Sequence, residues 1–443
     1  MPATPEIAAR VLAEVDALVP RLTASVVEAV RIASVDPKYP GQSYDELVGR
    51  EGEVARLVSA VHAEAGAEVD VFAVEPGREN ACARIRGAGG GRSLLLNGHI
   101  DVVPTGNPER WTEEPFGGEV RGGRIWGRGS TDMKAGVLAQ AYAAVALRNA
   151  GVRLAGDLVL AAVVGEEVGD HESGTTATIR RGFTADVAVI AEPTAPPDPL
   201  AIVPVTPGML WFAISVPGRS AHAGLRGESV HQTIYGQGLG VNAIDKAFLV
   251  YEGFRRLEDE WAATKRHPLF PNGKFGILPG VIHGSPFGID APFFLAEECR
   301  IEYCAIFHPD DDCASTKAEL QGRLDAINAL DPWLREHPAT LVWRLEWEPY
   351  RLPERHPVLA SLAGAHEAAA AGTRLAGPAV QRGFGGVCDA TWYEQAGIPS
   401  VMYGPGDLRL AHASDEYVEV DEVVTACRAF ALLALDWCGG AEG

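Results

Sequence analysis

The segment SLLLNGHIDVVP, which spans Ser93–Pro104, is the stretch on which the fold prediction rests. The three leucines of Leu94–Leu96 are typical of a short strand that is covered on both faces of a sheet. The strand runs directly into His99 and Asp101, and an extended chain projects these two side chains to the same side. The segment therefore predicts a buried strand that presents reactive side chains at its carboxyl end.

Further apolar runs of the same length flank this strand along the chain, and helical patterns separate them. Strands that alternate with helices predict an α/β fold, with a mixed sheet covered by helices on both faces. The predicted strands of this part are Val69–Val74, Cys82–Ile85, Ser93–Asn97, Asp157–Val164, Asp186–Ala191 and Ser400–Tyr403. The predicted helices are 5–33, 47–66, Lys134–Arg148, Ala360–Ala371 and Asp421–Cys438.

The pattern changes near Pro204–Gly208, where a different order of elements begins. Strand, helix, two strands, helix and strand follow one another, which is the ferredoxin-like βαββαβ arrangement. We predict a catalytic domain of residues 1–207 and 349–443, with residues 208–348 inserted as a smaller domain. The segments behind this prediction are GMLWFAISVPGR from Gly208, then Ser229–Lys265, Lys274–His283, Glu297–Phe307, Pro309–Leu330 and Thr340–Glu348.

Composition excludes several classes of function. The 443 residues hold 38 Lys and Arg against 59 Asp and Glu, a net charge of −21. Nucleic acids and anionic membrane surfaces need basic patches, so neither is expected as a partner. No apolar run reaches the ~20 residues of a membrane span, and no secretory signal pattern is visible at the N-terminus. The seven cysteines form no CxxC pair, which favours reduced thiols in a cytoplasmic protein.

Reactive side chains follow one predicted strand after another. Ligands of doubly wound sheets bind outside the carboxyl ends of the strands, so these side chains should meet at one edge of the sheet. Imidazole and carboxylate groups suit zinc, and a carboxylate that bridges two cations ~3.5–4 Å apart allows a shared hydroxide to attack a polarised carbonyl. Each residue alone has an ordinary structural interpretation, and Asp132 alone resembles a helix N-cap. The converging residues are His99, Asp101, Asp132, Glu166, Glu167, Glu192 and His412.

Geometry limits some of the individual roles. Asp101 can accept a proton from the outer nitrogen of His99 and so fix its tautomer. Glu166 and Glu167 are neighbours, and in an extended segment they cannot face the same point. One of them should bind metal, while the other takes a proton from water and passes it to the leaving nitrogen.

Taken together, the motifs GHIDVVP, GRGSTDMKAG, GEEVGD, AEPT and GPGDLRLAHASDEYV resemble the M20 metallopeptidase family over nearly the whole chain. The resemblance implies a zinc-exopeptidase-like catalytic domain that holds two Zn²⁺ ions, with Co²⁺ or Mn²⁺ as substitutes. It implies that Glu166 is the general base and acid, and that Asp101 orients His99. The implied ligands are His99, Asp132 and Glu192 for one ion, and Asp132, Glu167 and His412 for the other.

The resemblance also assigns a role to the inserted domain. The segment GRSAHAG, Gly218–Gly224, is similar to the segment with which the family's lid and dimerisation domain contributes a histidine across the dimer interface. His222 is the matching residue, and it would donate to the negative charge that develops on the substrate's carbonyl oxygen. A homodimer joined through the inserted domains follows as an expectation.

Two departures from the family pattern concern substrate recognition. Many relatives carry an arginine late on the third strand of the inserted domain, where it grips a substrate carboxylate. Here Arg300 is early on that strand, and Ile306 and Phe307 occupy the late positions. A GTSD-like segment is replaced by GFGGVCDATWY, in which Gly385, Gly386 and Asp389 are candidate pocket residues.

The sequence therefore predicts a metal-dependent amidohydrolase that removes an acyl group from an N-acyl amino acid or a similar small N-acyl amine, of the acetylornithine deacetylase or desuccinylase type. A carboxypeptidase or dipeptidase, with a dipeptide as substrate, is one alternative. A metal-binding relative without catalytic activity is another. The acyl group, the amine and the physiological metal stay open.

Overall fold

The computed structural model describes residues 4–227, 239–284, 289 and 291–442. Its contacts divide the chain into two compact units. The first comprises Met1–Val205, Arg351–Phe384 and Cys388–Gly443, and the second comprises Thr206–Tyr350 and Gly385–Val387. That the second unit is an independently inserted domain, with the limits 208–348, stays a prediction.

The first unit is built on a nine-stranded sheet in the order β1-β2-β7-β3-β8-β16-β9-β14, with β15 beside β9. Strands β7, β3, β8 and β16 run parallel, whereas β1 and β2 pair antiparallel with their neighbours, and β9 pairs antiparallel with β16 and parallel with β15. The predicted α/β class with a mixed sheet is confirmed. In chain order the strands up to the second unit are β1 Glu68–Ala73, β2 Glu79–Ile85, β3 Leu94–His99, β4 Glu119–Arg121, β5 Arg124–Trp126, β6 Val152–Leu154, β7 Leu158–Val163, β8 Val187–Ile190 and β9 Ile202–Thr206.

The long helices of the first unit bury their apolar faces in the core, whereas the four-residue helix α2 has no buried residue. The first helix follows the predicted periodicity, since Val11, Val15 and Val26 are all buried, and Thr4 caps its start by accepting from the amide of Ile7. The helix α4 is alanine-rich because nearly every one of its residues is buried. The helices up to the second unit are α1 Pro5–Arg31, α2 Tyr44–Leu47, α3 Arg50–Glu64, α4 Ala135–Asn149 and α5 Thr175–Arg180.

The second unit holds an antiparallel sheet in the order β11-β12-β10-β13. Its elements follow the predicted βαββαβ order. The first predicted helix, Ser229–Lys265, falls partly on residues 228–238, which lie outside the described residues. The elements are β10 Gly208–Pro217, α6 Ala243–Thr264, β11 Gly276–His283, β12 Glu298–Phe307, α7 Cys313–Leu330, α8 Pro332–Glu336 and β13 Thr340–Trp347.

The chain then completes the first unit, where α11 packs against α4 and α9. The remaining elements are β14 Tyr350–Arg351, α9 Pro357–Ala370, β15 Gln381–Gly383, α10 Ala390–Gln395, β16 Ser400–Met402, β17 Tyr417–Glu419, α11 Val420–Cys438 and β18 Gly440–Glu442. Among the described residues, none of the helices combines the length and the apolar character that crossing a membrane requires.

Candidate metal centre

The parallel strands β7, β3, β8 and β16 end at the same edge of the sheet, and three of them present reactive side chains there. His99 is the last residue of β3, and Glu192 lies two residues beyond β8. After β7, Gly165 adopts a φ of 83° and turns the chain into a 3-10 helix, Glu166–Val168. Glycine is suited to this turn because a Cβ atom disfavours positive φ. The predicted convergence at one sheet edge is thus present in the first unit.

Asp132 reaches this edge from the segment Ser130–Lys134, directly before α4. Its φ of −122° and ψ of 95° are not helical, and the Asp132–Met133 peptide is cis. Asp132 is 7% exposed, and its side chain is therefore held within the protein. Helix α4 begins at Ala135 with Lys134 at its N-cap position, so Asp132 is not the N-cap of this helix.

The two carboxylate oxygens of Asp132 face different histidines. Oδ1 lies 3.0 Å from His99 Nε2, and Oδ2 lies 3.6 Å from His412 Nε2. A carboxylate placed between two imidazoles in this way is suited to bridging a pair of cations.

His412 lies on a loop between β16 and β17 and adopts a φ of 60°. Its Nε2 lies 3.0 Å from Glu167 Oε2. The other carboxylate oxygen of Glu167, Oε1, is buried without a hydrogen-bond partner among the described residues. Because a buried polar atom normally has a partner, this oxygen fits a cation ligand.

Glu166 and Glu192 approach His99 from other sides. Glu166 Oε2 and Glu192 Oε1 each lie 4.0 Å from His99 Nε2. The donor atoms of His99, Glu166 and Glu192 lie within 4.8 Å of one another, as do those of His99, Asp132 and Glu167. By distance alone, Glu166 therefore lies as close to His99 as the predicted ligand Glu192 does.

Asp101 approaches the outer nitrogen of His99 with its main chain. Its carbonyl oxygen lies 2.9 Å from His99 Nδ1, whereas its carboxylate Oδ1 lies 3.7 Å away. The carboxylate Oδ2 instead accepts from the amide of Glu167 at 3.0 Å. Asp101 thus contacts the segments of two predicted ligands, and the closest acceptor for His99 is the carbonyl group.

Charge at this edge is concentrated and mostly buried. Burial and the neighbouring carboxylates raise the pKa of Glu192 well above its usual value. Burial opposes protonation of His99, but the hydrogen bond to Asp132 and the nearby carboxylates raise its pKa well above 6.5 overall. For Asp132 burial acts to raise the pKa, yet hydrogen bonds to both histidines lower it overall. Such a set of acidic groups favours positive charge in its midst.

The other candidate residues are distributed over both units. Asp389 is buried in the first unit, where its Oδ2 accepts from Thr175 Oγ1 at 2.6 Å and burial raises its pKa to about 6. His222 belongs to the second unit, is exposed, and accepts from the amide of Gly224 through Nδ1. The second unit also contains Arg300, which pairs with Glu302 on β12, as well as Gly385, whose carbonyl accepts from Lys274, and Gly386.

Two buried charged residues beside the centre are absent from the predicted set, namely Arg128 and Glu416. Glu416 accepts from the amides of Thr131 and Asp132, and it also pairs with Arg128. Both residues lie inside the motifs GRGSTDMKAG and GPGDLRLAHASDEYV, so their position beside predicted ligands was a signal available in the sequence.

The chain is similar to known proteins over most of its length. The model of peptidase family M20/M25/M40 matches residues 95–436. N-formyl-4-amino-5-aminomethyl-2-methylpyrimidine deformylase of Halalkalibacterium halodurans is 33% identical, over 84% of this chain and 86% of the relative. The enzyme of the same name from Bacillus subtilis is 31% identical, over 85% and 87%. A succinyl-diaminopimelate desuccinylase of Cereibacter sphaeroides is 36% identical over 39% of this chain and 43% of its own.

Solved structures with low sequence identity share the fold. A dipeptidase from Saccharomyces cerevisiae has a TM-score of 0.75 at 13% identity and covers 97% of this chain and 98% of its own. Human carnosine dipeptidase 1 has a TM-score of 0.71 at 15% identity, with 97% and 99% covered. At these identities the likeness concerns the fold alone.

Proposed function

Since the chain belongs to peptidase family M20/M25/M40, we propose that it hydrolyses the amide bond of a small N-acyl amine, with an N-formylated aminomethyl heteroaromatic compound as the first substrate class to test. The family resemblance of the sequence motifs is confirmed, and the chain is a hydrolase of amide C–N bonds. The observation that carries the proposal is the position of Asp132, whose two carboxylate oxygens face His99 and His412.

We propose two divalent cations, zinc in the first instance with cobalt or manganese as substitutes. His99 and Glu192 would hold one, Glu167 and His412 would hold the other, and Asp132 would contribute to both. When bound, such a pair acidifies a water molecule and polarises a carbonyl group. Two observations support this assignment: Oε1 of Glu167 has no hydrogen-bond partner in the described part of the chain, and the ligand set mixes imidazole and carboxylate groups.

The remaining side chains move or stabilise charge in this proposal. Glu166 accepts a proton from the attacking water at its carboxylate and delivers it to the leaving nitrogen. Asp101 orients His99 by accepting from Nδ1. His222 donates to the carbonyl oxygen as negative charge develops there, and it acts from the partner copy of a homodimer.

The substrate class rests on the relatives and on one strand of the second unit. The two deformylases match most of the chain, whereas the desuccinylase matches less than half of it. On β12, Ile306 and Phe307 stand at the positions where a carboxylate-gripping arginine is expected, and Phe307 is fully buried. An amine product without a carboxylate suits this strand better than an amino acid does.

A homodimer joined through the second unit is the proposed assembly. The strand β11 is at an edge of its sheet, and it exposes Leu278, Val281 and Ile282 by 61%, 54% and 53%. An exposed apolar edge strand is a typical site for pairing with another chain. The seven cysteines form no disulfide among the described residues, which supports a cytoplasmic location.

Hydrolysis by zinc- or cobalt-loaded protein tests the proposal. The panel contains N-formyl-4-amino-5-aminomethyl-2-methylpyrimidine, N-acetylornithine, N-succinyl-diaminopimelate and a set of dipeptides. We expect the highest kcat/KM for the formylated pyrimidine and loss of activity after chelation. A preference for dipeptides would replace this substrate class with the peptidase alternative, and the absence of turnover on a broad amide panel would favour a binding protein.

A further inference from the structure

A buried ion pair, Arg128 with Glu416, lies beside the candidate metal centre and has no part in the roles proposed above. The side chains are 2% and 0% exposed, and their residues are 288 positions apart in the chain. Because burying charge is costly, such a pair persists only where good hydrogen bonds compensate for the lost hydration. The contacts of each partner show what the pair holds together.

Glu416 joins the segment of Asp132 to the loop of His412. Its Oε1 accepts from the amide of Thr131 at 2.9 Å and from the amide of Asp132 at 3.2 Å. Glu416 itself lies four residues after His412. One carboxylate therefore fixes the main chain at the bridging residue and belongs to the loop that supplies the second histidine.

Arg128 ties the same loop to the chain beyond β3. Its Nη1 donates to Glu416 Oε2, while its Nη2 donates to the carbonyl oxygens of Ala413 at 3.2 Å and Pro104 at 3.5 Å. Ala413 is the residue after His412, and Pro104 follows the strand end that supplies His99. The guanidinium group thus reaches both loops that flank the bridging carboxylate.

We propose that Arg128 and Glu416 are positioning residues that set the spacing between Asp132 and His412, and thereby the affinity of the chain for the cation these two residues share. The inference rests on the proposed two-ion function. Metal–ligand distances are fixed within a few tenths of an ångström, whereas His412 lies on a loop and its side chain is 56% exposed. Asp415 accepts from Thr112, and the carbonyl oxygen of Glu416 accepts from Gly127, but the carboxylate of Glu416 contacts the amide of Asp132 itself.

The substitution Glu416→Gln tests the inference. Glutamine can still accept from the two amides, but it loses the charge that faces Arg128. Wild type should bind two Co²⁺ ions per chain, measured by calorimetric titration and by metal content after dialysis. We expect the variant to retain the ion at His99 and Glu192 and to bind the second ion about 10- to 100-fold more weakly. The visible absorption of Co²⁺ should change for the second ion only.

Asp157→Asn is the matched control. Asp157 is a half-buried carboxylate of the first unit that directly precedes β7, at the opposite end from Glu166, and it accepts from the amide of Gly87 at 2.8 Å and from Arg84 at 3.4 Å. Its removal should lower the thermal unfolding temperature comparably, yet leave both Co²⁺ affinities and the spectrum unchanged. Arg128→Lys is a second test if Glu416→Gln does not fold, since lysine keeps the charge but cannot serve Glu416, Ala413 and Pro104 together.

The outcomes separate the inference from the function on which it rests. Selective weakening of the second ion in Glu416→Gln or Arg128→Lys, with a normal control, supports the positioning role. Two unchanged affinities in these variants overturn it and leave the proposed hydrolase intact. An equal loss of Co²⁺ affinity in Asp157→Asn would show general destabilisation of the fold, and it would also overturn the inference. A wild-type chain that takes up fewer than two ions refutes the two-ion centre, whatever the variants do.

Discussion

The adjacent residues Glu166 and Glu167 allow the proposed division of labour to be tested with a pair of isosteric changes. Glu166 Oε2 lies 4.0 Å from His99 Nε2, whereas Glu167 Oε2 lies 3.0 Å from His412 Nε2. Glu166→Gln removes a proton acceptor, and Glu167→Gln removes a negatively charged metal ligand. Shape and local backbone are nearly the same in the two variants, which makes each the control of the other.

The expected effects differ in kind. General acid–base catalysis contributes about 10²- to 10⁴-fold to a rate, which corresponds to about 2.7–5.4 kcal/mol of activation free energy. Glu166→Gln should lower kcat by this factor and leave two ions bound. Glu167→Gln should lower the metal content to one ion per chain, because the variant loses the negative charge of a buried carboxylate whose Oε1 has no hydrogen-bond partner among the described residues.

Steady-state kinetics on the best substrate of the panel and metal analysis after dialysis measure the two effects separately. The reasoning fails if Glu166→Gln loses an ion while Glu167→Gln retains both. The distances alone are compatible with that exchange of roles, since the ligand atoms of Glu166, His99 and Glu192 lie within 4.8 Å of one another. Residual activity above a tenth of wild type in Glu166→Gln would also refute its role as the base.

Further expectations concern stability, catalysis and assembly. Burial lowers the pKa of His62 from 6.5 to about 3 in the folded chain. The unfolded chain therefore takes up a proton at this residue as the pH falls below 6.5, whereas the folded chain does not. The free energy of unfolding should decrease by about 2 kcal/mol between pH 7 and pH 5. In His62→Leu, denaturant titrations should show that the decrease in the free energy of unfolding between pH 7 and pH 5 is smaller by that amount. An unchanged decrease would contradict the assignment to His62. His222→Ala should lower kcat about 10²- to 10³-fold with the metal content unchanged. If His222 acts across a dimer, mixing this variant with Glu166→Gln should restore activity. The absence of any recovery would indicate that His222 acts within its own chain. Ile282→Lys should shift the dimer to a monomer in light scattering, and an unshifted mass would place the interface elsewhere.

The fold could be predicted well from the sequence where burial follows a simple period. Leu94–Leu96 is buried on both faces of β3, as the unbroken apolar run indicates. Helix α1 ends two residues before the predicted position, because helix ends depend on capping contacts and not on the apolar period. The bounds of α6 differ most from the prediction, and part of that predicted helix lies outside the described residues.

The centre could be predicted as a set of residues but not as a set of contacts. His99, Asp132 and His412 come together as the strand ends indicated. The alternation of side chains along an extended strand could not predict the hydrogen bond of the Asp101 carboxylate. This carboxylate accepts from the amide of Glu167, which the turn after β7 brings close. Arg128 and Glu416 were missed for a related reason: hydrophobic patterns report buried apolar residues, and they carry no signal for charged side chains that are buried as a pair.

The burial of the acidic residues at this centre is stronger evidence for a cation site than the net charge of the chain is. The formal charge of −21 on its own describes a chain with many solvated acids. Asp132 and Glu192, by contrast, are 7% and 3% exposed, and burial raises the pKa of Glu192. Carboxylates removed from water are costly unless positive charge lies among them. Two protonated histidines can offset part of that cost, but then they cannot serve as metal ligands, since a ligand nitrogen must be free of its proton. The structure therefore predicts a competition between protons and metal at His99 and His412, and metal affinity should fall as the pH falls.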